Sequence, residues 1–226
     1  MPDKSAFYPQ VIQRYVSEPS LPDDQREFIA ALLEVFEEKI FNAKDFEVFP
    51  IEIIVDYIQR THQYYFEKKL PEIEQSIGLL SDHYDSQHPI LAALRNFFHR
   101  YVNDLSEHIR AEETHLLPYI KTLREAGKTP AHFSTFIVAR RDYSIDRFLN
   151  DHHDTEDELK DIRQTIRLYD PPSTNESLYR ILLSQLQAFE QDLFIHAHIE
   201  EEVLIPKALA LEKELNTKLL YISPYN

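Results

Sequence analysis

LRNFFHRYVNDLSEHIRAEETH, residues 94–115, has a regular apolar stripe that runs into a histidine and a glutamate. The stripe has spacings of 4, 3, 4, 3, 4 and 3 residues and consists of Leu94, Phe98, Tyr101, Leu105, His108, Glu112 and His115. This alternation is typical of the face that a helix packs against its neighbours in a bundle. His108 and Glu112 are therefore expected inside the protein, where charged side chains are rare unless they are paired or metal-bound.

The same pattern returns 88 residues later in the chain. HIRAEETHLLP (108–118) and HAHIEEEVLIP (196–206) are identical at 5 of 11 positions, with His first, Glu fifth and sixth, and Pro last. The stripe around the second copy consists of Leu182, Leu186, Phe189, Leu193, His196, Glu200 and Val203. The repeat predicts two equivalent helices, each with an inward-facing His and Glu one turn apart.

Two further helical segments each contribute a single histidine. In FPIEIIVDYIQRTHQYYFEKKLPEIEQSIG (49–78), His62 continues an apolar stripe made of Ile51, Val55, Ile58 and Tyr65. The other segment runs from about Ala131 to Leu168, and its stripe leads from Leu149 to His152 at i+3 or His153 at i+4. Periodicity does not choose between these two histidines. The step from His62 to His153 is 91 residues, close to the 88 between the repeated motifs, so the first two helices map onto the last two.

The order of these segments predicts the fold. Four long helices with short connections indicate an all-α, up-down-up-down four-helix bundle. We expect the bundle to occupy residues 46–226, with residues 1–45 as an N-terminal helical extension. Pro71, Pro118 and Pro206 stand inside the helical patterns and are expected to kink or break them.

Composition excludes several classes of function. The chain has no cysteine, which rules out disulfides, iron–sulfur ligation and thiolate zinc sites, so a metal would need nitrogen and oxygen ligands. A net charge of −15 and the lack of a basic stripe argue against nucleic acid. No apolar run reaches the roughly 18 residues of a membrane span, and the start MPDKSAFYPQ is unlike a secretory signal. We expect a cytoplasmic protein that does not bind membranes.

The repeated motif has the chemistry of a metal centre. A buried carboxylate without a partner is costly, and here the residues that could pair with it are histidines. A His and a Glu four residues apart can reach one point between helices. Two such pairs and two single histidines supply four imidazoles and two carboxylates, enough for two first-row metal ions with each Glu able to bridge them. Iron suits this set best, and manganese and zinc are also compatible with it.

Plainer explanations exist for each feature alone. A single histidine on an apolar face is more often a hydrogen-bonded core residue than a ligand, but two matched pairs favour a metal centre. Glu112 and His115 also form the Glu-x-x-His element of ferritin-like di-iron bundles. The second copy has Val203 at that place, so we expect His115 to pack one turn below the site. Glu113 and Glu201 stand about 140° from the histidine face of a regular helix and are expected in solvent. The less favoured alternative is that they line an entry for metal or substrate.

Taken together, the four segments FPIEIIVDYIQRTHQYYFEKKLPEIE, HIRAEETHLLP, HHDTEDELKDIR and HAHIEEEVLIP resemble hemerythrin-like cation-binding domains. Among these, they are similar to the di-iron proteins for repair of iron centres (RIC family), over residues of about 48 to 210. The resemblance chooses His153 over His152, although Asp157 stands where the family usually has glycine. It implies two iron ions bridged by both glutamates and an oxo or hydroxo group, with the ligands His62, His108, Glu112, His153, His196 and Glu200.

The resemblance also implies a role in oxidative or nitrosative stress. One hypothesis is repair of damaged iron–sulfur proteins, either by iron delivery or by reduction of nitric oxide or peroxide as a di-iron oxidoreductase. A second is a non-enzymatic protein that binds, senses or stores oxygen, nitric oxide or iron. A third is a metal-free helical interaction module.

Overall fold

The computed structural model describes residues 8–15, 18, 20–83, 89–151 and 176–222, and within these ranges it is helical with no strand. The predicted all-α bundle is thus confirmed for the described residues. Its helices are α1 (Tyr8–Gln13), α2 (Asp23–Glu38), α3 (Lys44–Glu47), α4 (Ile51–Tyr64), α5 (Leu70–His83), α6 (Pro89–Ala111), α7 (Leu117–Ala126), α8 (Pro130–Asp142), α9 (Ile145–Asp151), α10 (Glu176–Ile199) and α11 (Ile205–Ile222).

Three π-helical turns join consecutive helices into longer ones. They are π1 (Tyr65–Lys69) between α4 and α5, π2 (Glu112–Leu116) between α6 and α7, and π3 (Glu200–Leu204) between α10 and α11. The chain therefore runs as one long helix through 51–83, a second through 89–126 and another, the fourth of the predicted bundle, through 176–222. Of the described helices, none is long and apolar enough to cross a membrane.

The prolines explain where the π turns lie. Each π turn starts six residues before a proline, at Tyr65, Glu112 and Glu200. Proline cannot donate a backbone hydrogen bond, and its ring clashes with the carbonyl four residues earlier in a regular helix. At each place the residue just before the proline donates its N–H five residues back, to the carbonyl that opens the turn. The expected kinks or breaks at the prolines are thus replaced by wider helical turns.

The third bundle segment differs from the single long helix that we expected. It is interrupted after Asp142, where Tyr143 is extended at φ −146° and ψ 149°. The Ser144 hydroxyl then accepts the N–H of Arg147 at 3.2 Å and begins a new helix, α9. A side-chain cap of this kind favours a fresh start over a continuous helix. Residues 152–168 of the expected helix lie outside the described part.

The core consists of two apolar clusters along the long helices. One includes Ile58, Leu116 and Ile199, and the other includes Tyr65 and Phe189. On the apolar stripes of the second and fourth long helices, the His and Glu of the repeated motif follow residues of the second cluster and precede residues of the first. The polar residues are therefore held in the middle of the bundle, with packed apolar side chains on both sides.

The N-terminal segment packs into the same core as the bundle helices. Val11, Tyr15 and Phe28 are buried in the first apolar cluster. The side chain of Arg14 is fully buried and forms an ion pair with Asp192 of α10. This segment is thus in direct contact with the bundle, while the boundary after residue 45 stays a prediction.

Candidate metal centre

The structure brings together side chains from three of the long helices. One ligand atom from each of His62, Glu112 and His196 lies within 4.8 Å of the other two. All three residues are buried, at 3%, 0% and 5% of their full exposure. His62 comes from α4, Glu112 opens π2 and His196 lies in the last turn of α10. Two imidazoles and a carboxylate at this separation can bind one ion.

Glu112 is the centre of the group. Its Oε2 lies 2.9 Å from Nε2 of His62, and its Oε1 lies 2.6 Å from Nε2 of His108 one helical turn earlier. Burial by itself raises the pKa of Glu112, but the close imidazoles of His108 and His62 outweigh burial and lower it. Glu112 is therefore an ionised carboxylate held between two imidazoles from different helices.

Glu200 lies in the equivalent place of the fourth long helix, but its environment differs. It is 2% exposed, and its Oε2 lies 3.6 Å from Nε2 of His196. Burial and the neighbouring charge of Glu112 raise the pKa of Glu200 well above its ordinary value. The two imidazoles near Glu112 thus balance one carboxylate, and nothing among the described side chains balances a second.

The imidazole of His196 lies deep in the protein. Its ring centroid is 5.0 Å from that of His62, 5.8 Å from that of Tyr65 and 6.3 Å from that of Tyr57. Burial, followed by the charge of His62, lowers the pKa of His196 well below its ordinary value. The ring is therefore neutral, which is the form of histidine that binds a metal. Tyr65 packs in the core as expected, with 0% exposure.

The remaining histidines have different positions. His152 and His153 lie outside the described residues, so the contribution of the third helix stays a prediction. His99 is exposed, His132 is partly exposed, and His198 lies near the surface with 30% of its side chain accessible. The expectation that His115 packs below the site is wrong, because this side chain is exposed. The π turn delays the inward stripe by one residue and places Leu116 in the core instead.

Glu113 has a contact with the centre that the sequence did not predict. Its Oε1 lies 2.7 Å from Nδ1 of His62, and its Oε2 accepts a hydrogen bond from Nε2 of Gln59 at 3.3 Å. We expected Glu113 to lie in solvent because a regular helix turns it away from His108. Glu113 instead reaches the centre through His62, which the first long helix places beside it. The sequence signal that could have indicated this contact is the second glutamate in both copies of the motif, Glu113 and Glu201.

These residues fit a bound cation. Two buried carboxylates face a neutral imidazole, yet only Glu112 keeps its charge without further help. Among the described residues, Oε1 of Glu200 and Nδ1 of His196 are buried and have no hydrogen-bond partner. A divalent cation would let Glu200 ionise and would replace the missing interactions. Imidazole and carboxylate without sulfur suit iron, and manganese or zinc less specifically.

Comparison with known proteins agrees with this chemistry. Residues 54–208 match the sequence model of the family described as Hemerythrin HHE cation binding domain. The chain is 24% identical over 154 residues to the iron-sulfur cluster repair protein ScdA of Staphylococcus haemolyticus, covering 68% of this chain and 65% of that protein. It is 26% identical over 205 residues to the iron-sulfur cluster repair protein YtfE of Pectobacterium carotovorum subsp. carotovorum, covering 88% and 83%.

A third relative, ScdA of Staphylococcus epidermidis, is 21% identical over 157 residues, which cover 70% of this chain and 66% of that protein. The chain therefore spans about two thirds of the length of the ScdA relatives. The predicted resemblance to hemerythrin-like proteins for repair of iron centres is confirmed by these matches.

Proposed function

Because the chain belongs to the Hemerythrin HHE cation binding domain family, we propose that its repeated motif holds two iron ions. The ligands in this proposal are His62, His108, Glu112, His153, His196 and Glu200. The observation that carries it is the pair of buried glutamates. Glu112 lies between imidazoles of two helices, and Glu200 lies one turn from His196 with a raised pKa that a nearby cation would lower.

Each half of the motif has a separate task in this proposal. His108 and Glu112 hold one side of the centre, and His62 reaches Glu112 from the first long helix at 2.9 Å. His196 and Glu200 hold the deep side, where packed apolar residues exclude water. Bound iron would supply redox chemistry or serve as cargo. The apolar clusters above and below pack around the ligands and hold them in position.

We further propose that the protein repairs iron–sulfur clusters by delivering iron, in the cytoplasm and under oxidative or nitrosative stress. Support comes from the three relatives named as iron-sulfur cluster repair proteins. Delivery requires that the centre exchange ions with the outside. The His62 and His108 side meets this requirement better than the deep side, because 17% of the His108 side chain is accessible. The iron is then the substrate that leaves, and a damaged iron–sulfur protein is the partner that receives it.

The metal centre is tested by anaerobic loading with ferrous iron, followed by metal quantitation and visible spectroscopy. We expect about two irons per chain in the wild type and loss of both in the Glu112→Ala, Glu200→Ala double variant. Glu107→Ala, an exposed glutamate on the same helix as Glu112, is the matched control and should load normally. A wild-type chain without stoichiometric metal would overturn the proposal and favour the interaction module.

Delivery is tested separately from loading. Iron-loaded protein is mixed with a [4Fe–4S] enzyme that peroxide has inactivated, and recovery of that enzyme's activity is followed against an equal amount of free ferrous iron. Faster recovery with the loaded protein, in the presence of a competing chelator, supports delivery. Reversible oxygen binding without any recovery would instead favour the binding and sensing hypothesis.

A further inference from the structure

The outer edge of His62 has a carboxylate contact that the ligand set does not require. Nδ1 of His62 lies 2.7 Å from Oε1 of Glu113, while Nε2 of the same ring faces Glu112 at 2.9 Å. A second hydrogen bond, from Gln59 at 3.3 Å, fixes the other oxygen of Glu113. Histidines that bind metals commonly donate their second ring N–H to a carboxylate, which sets the tautomer and the orientation of the ring.

The same carboxylate lies at the surface of the protein. The Glu113 side chain is 34% accessible, whereas that of His62 behind it is 4% accessible. Both residues line a surface depression between α4 and α6 with a volume of about 600 Å³. The rest of its lining is Gln59, Gln63, Phe66, Ser106, Ile109 and Arg110. Of the proposed ligands within the described residues, His62 alone lines this depression.

The contact between Glu113 and His62 and the surface depression lie on one path from solvent to the centre. A metal ion that travels between solvent and Glu112 by the depression meets Glu113 first and then the ring of His62. The deep ligands His196 and Glu200 do not line this depression. The ring of His62 must turn aside for an ion to pass, and its bond to Glu113 opposes that turn.

We propose that this depression is the port through which metal ions enter and leave the centre, and that Glu113 is the positioning residue that holds His62 closed across it. The inference rests on the proposed metal centre and adds the route and the residue that controls it. The ligand of the port is a divalent cation, which the exposed carboxylate of Glu113 attracts on arrival. Gln59 acts one step further out, by keeping Glu113 directed at the imidazole.

The positioning role is tested with Glu113→Ala and Glu113→Gln, using ferrous iron under anaerobic conditions and a coloured chelator that reports its release. We expect Glu113→Ala to lower the equilibrium affinity for iron about 10–100-fold, the usual effect of losing such a partner, with faster release. Glu113→Gln, which keeps an acceptor for the ring N–H, should recover part of this loss. Glu107→Gln on the same helix is the control and should match the wild type.

The protonation of the His62 ring is a measurement that a purely structural role of Glu113 would leave unchanged. The nitrogen NMR signals of His62 in the metal-free protein should report a protonated Nδ1 in the wild type and a lower population of protonated Nδ1 in Glu113→Ala. Unchanged melting temperatures show that the fold is intact. Wild-type affinity, release and Nδ1 protonation in Glu113→Ala would overturn the positioning role.

The route is tested by filling the depression. Gln63 is exposed and lines it, so Gln63→Trp should slow loading and release together by about tenfold, which corresponds to about 1.4 kcal/mol in each activation barrier. The equilibrium affinity should not change. Gln75→Trp, an exposed glutamine of the same long helix away from the depression, is the matched control. Exchange at the wild-type rate in Gln63→Trp would overturn the port.

The outcomes separate this inference from the proposed function. If the wild-type chain binds no stoichiometric iron, the proposed centre fails and the port fails with it. If the wild type loads two irons but the Glu113 and Gln63 variants behave like their controls, the centre stands and the port alone is wrong.

Discussion

Replacing Arg14 by methionine is expected to destabilise the whole protein, although Arg14 lies in the N-terminal segment. Its guanidinium is fully buried and paired with Asp192, and its carbon lies 5.4 Å from the ring centroid of Tyr57 and 5.3 Å from that of Tyr64. Burial would lower the pKa of Arg14, but the charge of Asp192 raises it above the ordinary value. The guanidinium of Arg14 is therefore charged in the folded protein.

The magnitude follows from the burial of this pair. Removing one partner leaves an uncompensated charge in the interior and costs about 3–5 kcal/mol. In a protein of 226 residues, each kcal/mol lowers the melting temperature by roughly 2–4 °C. Arg14→Met and Asp192→Leu should therefore each melt roughly 6–20 °C lower than the wild type. The double variant exchanges the pair for apolar side chains and should lose much less than either single variant.

Urea unfolding followed by circular dichroism of the four proteins gives the coupling energy of the pair. Arg26→Met is the control, because Arg26 and Asp23 form an exposed ion pair of the kind that contributes at most about 1 kcal/mol. Additive losses in the double variant would refute the reasoning. So would an Arg14→Met protein as stable as Arg26→Met, since the segment would then not be part of the cooperative core.

Two further predictions concern stability. In the metal-free protein the pKa values of His62 and Glu200 are both raised. Burial opposes the rise for His62, where the contacts with Glu112 and Glu113 outweigh it, and burial is the main cause of the rise for Glu200. The stabilising contribution of each group is therefore full at low pH and is lost as pH rises through its pKa in the folded protein. His196, whose pKa is lowered, has the opposite dependence up to the ordinary histidine pKa and offsets Glu200 there, so the melting temperature should fall above about pH 6.5. Glu200→Gln should flatten that fall, and a wild-type curve that rises above this pH would contradict the reasoning. Tyr119 donates a hydrogen bond to the buried Glu212 at 2.5 Å, so Tyr119→Phe should cost about 1.5–3 kcal/mol in urea unfolding, and a loss below about 0.5 kcal/mol would refute this.

The sequence predicted the inward direction of four polar residues and missed what surrounds them. His108, Glu112, His196 and Glu200 continue long apolar stripes, and the structure buries the last three almost completely. The stripe alone could not place His115, because periodicity assumes a regular helix and the π turn at Glu112 adds a residue to the turn. The spacing from Glu112 to the proline was visible, but its effect on the backbone was not.

Long-range contacts were outside the reach of local patterns. The Arg14 pair joins residues separated by 178 positions, and nothing near Arg14 in the sequence indicates a buried charge. The bond from Glu113 to His62 likewise depends on how two helices face each other. The break at Tyr143 follows from the cap formed by Ser144, although the apolar stripe favours a continuous helix. The local sequence does not show which of the two prevails, because this depends on how the helix packs.

The π turns also determine how these helices tolerate changes in length. Each turn stores one residue more than a regular helix, so deleting one residue between Glu112 and Pro118 converts the turn into a regular one and leaves every later side chain of that helix in place. Leu117, Ile120 and Leu123, now buried, then stay in the core, and the cost is the clash of the proline ring with the carbonyl four residues earlier. The fourth helix carries its extra residue at the matching place and has the same tolerance.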